Sequence, residues 1–239
     1  MKKYLLILLC ALVSCVGQTD DPEDDNPSGG GDTPTSGVGI VLDFTATWCV
    51  NCPRMTTAIE EAAAERPIIP ICVHFKDDFA NAQGQELINH FGVSAYPSAV
   101  MNMDQNTLIT ATSKDLILAK LDAASSGKEP CTIEASFGED GRFNITVTAV
   151  QEGEYTLSAA ILSDGNVHPQ TGDSDTYVHN NVFTEFIQYN LLGDSLGQLE
   201  AGASAQLGYY IRELINTDHI VIFVCHNGIV NSAIDFKPW

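Results

Sequence analysis

Basic residues are scarce in this chain of 239 residues. It holds 11 lysines and arginines against 31 aspartates and glutamates, which gives a formal net charge of -20 at pH 7. A surface of that sign repels the phosphates of nucleic acids and the headgroups of anionic lipids. We therefore expect no nucleic-acid partner, and any attachment to a membrane has to depend on something other than a basic patch.

The chain also lacks an apolar run long enough to cross a bilayer. The stretch from Leu5 to Val13 is too short for a permanent transmembrane helix, and Lys2 and Lys3 precede it. This pattern predicts an export signal over residues 1–14. The four residues that end at Cys15 resemble the lipobox of bacterial lipoproteins, which implies that Cys15 becomes the lipidated first residue and anchors the protein in the cell envelope. The alternative is an ordinary secretory signal followed by a coincidental cysteine.

Residues 15–37 contain almost no apolar material. Six acidic residues, three prolines and the run Gly29–Gly31 fill this stretch, which has no basic residue. Such a composition predicts a disordered linker between anchor and folded body. An acidic run after the lipidated cysteine also resembles the signal that sends Bacteroidetes lipoproteins to the cell surface. The expected location is therefore the outer membrane, facing either the periplasm or the outside, with a plain solvated spacer as the alternative reading of the run.

The remaining chain falls into two zones of different character. In residues 38–127, strand patterns alternate with helical ones, which predicts an α/β domain. A hairpin is expected there over residues 99–112. In residues 128–239, short alternating strands with turn signals predict an immunoglobulin-like β-sandwich, with hairpins over 131–150 and 219–236 and a long strand over 176–192.

A pair of cysteines, Cys49 and Cys52, is separated by two residues and follows the strand pattern 40–44. Where a strand hands over to a helix, the first sulfur lies near the helix N-terminus. The unpaired N–H groups and the helix dipole there favour a thiolate, the form that attacks disulfides. The spacing thus indicates thiol–disulfide exchange, which requires no bound cofactor.

The residues around this pair resemble the active-site segment of thioredoxin-like proteins. Trp48 directly precedes the first cysteine, Asp43 lies six residues before it, and Tyr96-Pro97 resembles the cis-proline loop that faces the cysteines in that fold. The resemblance covers roughly ninety residues. In the second zone, the run from Tyr177 to Val182 and the closing hairpin around 221–224 look like the outer-membrane-protein-28-like lipoproteins of Bacteroidetes. That family implies a thioredoxin-like domain followed by a C-terminal β-sandwich.

The thioredoxin-like resemblance implies a role for each matching residue. Cys49 would be the attacking thiolate and Cys52 the resolving thiol. Asp43, expected to be buried, would relay the proton of Cys52. Trp48 would cover the cysteines. Pro97, if cis, would hold the backbone of Tyr96 ready to pair with an extended substrate and would keep metal ions from the sulfurs.

Alternatives accompany these assignments. The Cys49–Cys52 pair also fits a purely structural ring, and a zinc site would need further ligands such as Cys72 and His74, so no metal is expected. Cys131 and Cys225 fit either an inter-sheet disulfide or two buried thiols. The run His179-Asn180-Asn181 fits either a ligand-binding cluster or a polar turn or strand edge that organises the sandwich.

Two functions follow from the sequence. The first is an envelope lipoprotein that exchanges disulfides with exported proteins or with a redox partner protein. The second is an outer-membrane or surface binding lipoprotein whose CxxC is vestigial or structural.

Overall fold

The computed structural model describes residues 38–211 and 217–238. The expected export signal, Cys15 and the whole acidic linker lie outside these residues. The described part belongs to one compact unit and contains three α-helices, a short 3-10 helix at Gln105–Thr107 and thirteen strands. No helix in it is long and apolar enough to cross a membrane.

The helices and the first three strands alternate along the N-terminal zone. The helices are α1 (Cys52–Ala63), α2 (Ala82–Phe91) and α3 (Lys114–Ser125). The strands are β1 (Gly39–Thr45), β2 (Ile68–His74) and β3 (Ser98–Met101).

Ten strands follow in the C-terminal zone. They are β4 (Thr132–Phe137), β5 (Phe143–Thr148), β6 (Gly153–Ser163), β7 (Asn166–Val167), β8 (Val178–His179), β9 (Val182–Phe186), β10 (Asp194–Leu199), β11 (Ser204–Tyr209), β12 (His219–His226) and β13 (Ile229–Phe236).

One sheet runs through both zones. Its order is β13-β12-β6-β9-β2-β1-β3, and β10 also pairs with β6. β1 and β2 are parallel, and β3 is antiparallel to β1. The zones meet where β2 runs parallel to β9: Cys72 pairs with Val182, and the Cys72 N–H donates to the Asn181 carbonyl at 2.8 Å. The mixed α/β character is thus confirmed, while the segments 38–127 and 128–239, predicted as consecutive domains, share a sheet.

A second sheet supplies the other layer of the C-terminal zone. Strands β11, β5 and β4 form it, and its inward side chains share a core with β6 and β12. Along β5, buried and half-buried residues alternate, which is the period-two pattern of a strand with one face on a core. Both predicted hairpins, β4–β5 and β12–β13, are present as antiparallel pairs.

Two predicted strands are shorter in the structure. The hairpin over 99–112 is reduced to β3 and one bridge between Ala99 and Ile109, because Asp104 accepts the Asn106 N–H at 2.9 Å and winds the intervening chain into the 3-10 helix. The prediction of one long strand over 176–192 was also wrong. This stretch contains two short strands, β8 and β9, which Asn181 separates because its φ of 54° lies outside the range of strand residues.

Candidate functional site

The CxxC loop connects β1 to α1. Every residue of β1 is buried, and the strand lies between β2 and β3, so the loop begins at the end of an interior strand of the sheet. The loop is held by backbone bonds from Cys49 N–H to the Ala46 carbonyl at 3.1 Å and from Cys52 N–H to the Cys49 carbonyl at 3.3 Å. α1 begins at Cys52, and Pro53 occupies its first turn, where its missing N–H costs no helical bond.

Cys49 and Cys52 form a disulfide, with 5.4 Å between their Cα atoms. Cys49 is 5% exposed and Cys52 is 1% exposed, so little of either sulfur-bearing side chain meets solvent. The more accessible of the two is Cys49, the residue to which the thioredoxin-like resemblance assigns the attack. Both pack with Ala46 and against the ring of Tyr96.

Aromatic side chains form one border of the disulfide. Trp48 remains 46% exposed, and its indole N–H donates to the Phe75 carbonyl at 3.0 Å. Its ring meets Tyr96 edge-on at 5.7 Å, and Phe75 stacks on Tyr96 at 4.9 Å. These three rings therefore pack together beside the disulfide, and about half of the Trp48 side chain remains exposed to solvent.

The Tyr96–Pro97 peptide is cis, as the thioredoxin-like resemblance implied. Pro97 is buried, whereas Ala95 before this peptide bond is exposed. An open groove runs along this loop. Its walls are formed by Asn51 and Arg54 at the start of α1, by Ala95, Tyr96 and Pro97, and by residues 110–113.

Asp43 lies on β1 and is 1% exposed. The Thr56 hydroxyl of α1 donates to its Oδ2 at 3.2 Å, while its Oδ1 is buried with no hydrogen-bond partner in the described part of the chain. Burial raises the pKa of Asp43 to about 7, although the bond from Thr56 acts in the opposite direction. A carboxyl with that pKa can take up and release a proton near neutral pH.

A cavity of about 50 Å³ borders Asp43, and residues of the C-terminal zone form one of its walls. Cys72, Tyr177 and His179 line it together with Asp43. Burial, and then the neighbouring charge of His74, lowers the pKa of His179 to about 4, so its imidazole is neutral at physiological pH. Asp43 thus shares a cavity with side chains from both zones.

The run 179–181 forms the polar turn that was one of its two readings. The Asn180 side-chain oxygen accepts the Gly165 N–H at 2.9 Å, and the Asn181 N–H donates to Asp164 at 2.7 Å. His179 and both asparagines nevertheless line the Asp43 cavity, so the turn also contributes to this site.

Asp77 holds the loop from the side of β2. Its Oδ2 accepts the Thr47 N–H at 2.8 Å and lies 2.8 Å from His74 Nδ1. Burial raises the pKa of Asp77, but the bond and charge of His74 and the backbone N–H donors outweigh it, so the pKa lies below its usual value. His74, considered as a zinc ligand from the sequence, is engaged with this carboxylate. Across residues 38–211 and 217–238, no group of three or more His, Cys, Asp or Glu side chains is placed to hold a metal ion.

The β7–β8 loop, residues 168–177, packs onto the CxxC loop from the C-terminal zone. Gln170 Nε2 donates to the carbonyls of Cys49 at 2.9 Å and Ala46 at 3.2 Å. The Thr171 N–H donates to the Thr47 carbonyl at 2.8 Å. Sequence reasoning missed these residues, because an isolated glutamine more than a hundred positions from the motif carries no pattern.

The other described cysteines, Cys72, Cys131 and Cys225, are buried and free. Of the two readings for Cys131 and Cys225, the structure therefore has two buried thiols. Burial raises the pKa of each of the three thiols, which makes them poor nucleophiles.

No family model and no curated protein matches the chain. Solved structures do match it, and two of them superpose over most of the chain. HBP35 of Porphyromonas gingivalis, from a Bacteroidetes bacterium, superposes with a TM-score of 0.69 at 17% identity, over 84% of this chain and 75% of that one. Protein AGR_C_4864 from Agrobacterium tumefaciens superposes with a TM-score of 0.63 at 14% identity, over 86% of this chain and 96% of that one. At these identities the likeness concerns the fold, and the HBP35 match supports a thioredoxin-like fold for this chain.

Proposed function

We propose that this protein is a cell-envelope thiol–disulfide exchange protein, related to the outer-membrane-protein-28-like lipoproteins of Bacteroidetes. The carrying observation is the Cys49–Cys52 disulfide at the first turn of α1, with Tyr96 of the cis Tyr96–Pro97 loop packed against it and a buried carboxyl, Asp43, on the preceding strand. Its substrates are the thiols or disulfides of exported proteins or of a redox partner protein.

The exchange proceeds in two steps. In the reduced protein, the Cys49 thiolate attacks one sulfur of a substrate disulfide, and the other substrate sulfur leaves as a thiolate that takes up a proton. Cys52 then gives its proton to Asp43 and attacks the Cys49 sulfur. This re-forms the Cys49–Cys52 disulfide and releases the second substrate thiolate, so two electrons pass to the substrate. The reverse sequence oxidises a substrate dithiol.

The groove along the cis-proline loop accommodates the substrate. An extended substrate segment lies beside Tyr96 and Pro97, and the half-exposed Trp48 ring contacts its apolar side chains. Cys49, rather than the more buried Cys52, meets the incoming sulfur.

Attachment to the membrane takes place through acyl chains on Cys15, followed by the acidic linker. With a net charge of -20 over the full chain, the protein has no electrostatic affinity for anionic headgroups. This anchorage directs the exchange chemistry to the envelope, at the outer membrane.

The equilibrium between the Cys49–Cys52 disulfide and its dithiol tests the proposal. The full chain is equilibrated in glutathione or dithiothreitol buffers, alkylated, and the peptide that carries both cysteines is quantified by mass spectrometry. We expect a reduction potential within the span of known exchange proteins, roughly −120 to −270 mV. A pair still oxidised well below −300 mV would reject the exchange function.

Single-cysteine variants separate the two roles. Cys52→Ser leaves the attacking thiol without its resolving partner, so it should accumulate a mixed disulfide with a model substrate, whereas Cys49→Ser should form none. Non-reducing gel shifts with a disulfide-bonded peptide provide the measurement. Equal trapping by both variants would contradict the assignment of Cys49 as nucleophile.

A second function, a binding lipoprotein with a structural CxxC, is favoured by one observation. Both cysteines are at most 5% exposed, and the β7–β8 loop presses on the loop that holds them. A potential far below the exchange range, with partner binding unchanged in Cys49→Ser, would establish this alternative.

A further inference from the structure

We infer that Gln170 is a positioning residue for the Cys49–Cys52 disulfide, so that the redox site is built from both zones of the chain. The inference rests on the proposed function and assigns to the C-terminal zone the control of its redox equilibrium. Gln170 is 5% exposed, and its amide group points into the CxxC loop.

The Gln170 amide bridges the two backbone carbonyls of Ala46 and Cys49, which begin and end one turn of that loop. Its Nε2 lies 3.2 Å from the Ala46 carbonyl and 2.9 Å from the Cys49 carbonyl. The same carbonyls accept the N–H groups of Cys49 and Cys52, the bonds that shape the loop. An amide nitrogen carries two hydrogens, so one side chain can serve both acceptors at once.

The backbone next to Gln170 fixes this contact. The N–H of Thr171 donates to the Thr47 carbonyl at 2.8 Å, and Gly172 lies against Val50. A Cβ atom on Gly172 would stand 2.7 Å from the Val50 carbonyl oxygen, and its φ of 86° also favours glycine. Three successive residues of the β7–β8 loop, 170–172, therefore contact the CxxC loop over residues 46–50.

These contacts favour the oxidised state of the cysteine pair. Reduction adds two electrons, breaks the S–S bond and yields two sulfurs that carry two protons, or one proton and a thiolate charge. Unbonded sulfurs need van der Waals separation, so the side chains of Cys49 and Cys52 move apart and the S–S bond no longer constrains the backbone turn between them. The Gln170 bonds and the Gly172 contact hold this turn in the conformation that it has in the disulfide form. They stabilise the disulfide relative to the dithiol.

The test is Gln170→Met in the full chain, which keeps the side-chain volume and removes both donors. We expect the equilibrium constant for reduction by glutathione, measured on the Cys49–Cys52 peptide, to rise about tenfold, which is about 30 mV for a two-electron couple. Gln170→Asn keeps the amide but shortens its reach, and should shift the equilibrium in the same direction.

Gln188→Met is the matched control. Gln188 is also buried, but its side chain bonds the Ala159 N–H and lies near the Asn190 carbonyl, away from the CxxC loop. Its loss should lower thermal stability while leaving the glutathione equilibrium within twofold of the wild type. An equilibrium within twofold of the wild type in both Gln170 variants would overturn the inference, and so would equal shifts in Gln170→Met and Gln188→Met.

The two hypotheses fail separately. The exchange function depends on the absolute potential of the wild type, whereas the role of Gln170 depends on the difference between variant and wild type. A wild-type potential below the range of exchange proteins, together with a tenfold shift in Gln170→Met, would reject the first hypothesis and support the second.

Discussion

At the scale of single residues, the burial of Asp43 makes the stability of the fold depend on pH. Its pKa is raised from 3.8 to about 7 by burial. The unfolded chain therefore loses this proton from about pH 4 upward, while the folded protein keeps it until about pH 7. Since the folded state binds more protons in that window, the contribution of Asp43 to stability is complete below pH 3.8 and is lost as the pH rises to 7.

The size of this effect is a prediction for Asp43→Asn. About three pKa units correspond to about 4 kcal/mol. Between pH 4 and pH 7, the free energy of unfolding of the oxidised wild type should fall by about that amount relative to the variant, because the variant cannot titrate there. Urea denaturation at a series of pH values measures both proteins, and other titrating groups cancel in the difference. A difference that stays constant with pH would show that Asp43 ionises normally.

Residue identity was most predictive where a short motif carries the chemistry. The spacing of Cys49 and Cys52 predicted the disulfide that the structure shows, and the resemblance of Tyr96-Pro97 to the cis-proline loop of thioredoxin-like proteins implied the cis peptide. Gln170 was beyond prediction because its contact spans 121 positions and depends on how two loops meet. The roles of Asp43, Trp48 and Tyr96 stay predictions until their variants are measured.

At the scale of elements, helix α2 is tied to the C-terminal zone by its own cap. The Asn81 side-chain oxygen accepts the Gly84 N–H at 2.8 Å, while its amide donates to the Phe183 carbonyl at 2.9 Å. Two residues further on, Gln83 accepts the Phe186 N–H. Asn81 therefore caps α2 and at the same time binds it to β9.

Two substitutions at Asn81 separate the cap from the bridge. Serine caps helices as well as asparagine but cannot donate to Phe183, so Asn81→Ser should lose about 1 kcal/mol of unfolding free energy. Asn81→Ala loses both bonds and should cost about 2 kcal/mol. Chemical denaturation gives both values. No loss in Asn81→Ser would mean that the bond to Phe183 contributes nothing, whereas equal losses in the two variants would mean that the cap contributes nothing.

Element boundaries were the weaker part of the sequence prediction, for local reasons. Asp104 and Asn181 stop their strands by side-chain bonding and by a left-handed backbone, respectively. Hydrophobic pattern reports which face is buried, whereas these polar residues decide where a strand ends. The β4–β5 and β12–β13 hairpins were found because their turns carry glycine between clear alternating runs.

At the scale of the whole molecule, one core belongs to both zones. Leu162, Phe183 and Phe223 from the C-terminal zone are buried with Ile71 and Leu87 from the N-terminal zone. The change of composition at residue 127 is real, but sequence pattern cannot show that β9 adds to the edge of β2. Such a pairing is set by tertiary packing alone.

Removal of residues 128–239 should therefore unfold the remainder. The segment 38–127 alone would expose the edge of β2 and the apolar side chains that face β6 and β9. We expect it to show no cooperative thermal transition by circular dichroism, whereas the full chain shows one. A cooperative transition in the isolated segment, with the Cys49–Cys52 disulfide intact, would establish the segment as an independent domain.

The three buried thiols can report whether the two zones unfold together. Cys72 lies on β2, Cys225 on β12, and Cys131 just before β4, so they sample the junction of the zones, the interior of the long sheet and the second layer. A thiol reagent can reach each of them only when its surroundings open. If the sheet opens as a whole, the three labelling rates in mild denaturant coincide, and if the zones part first, Cys72 is labelled ahead of the others.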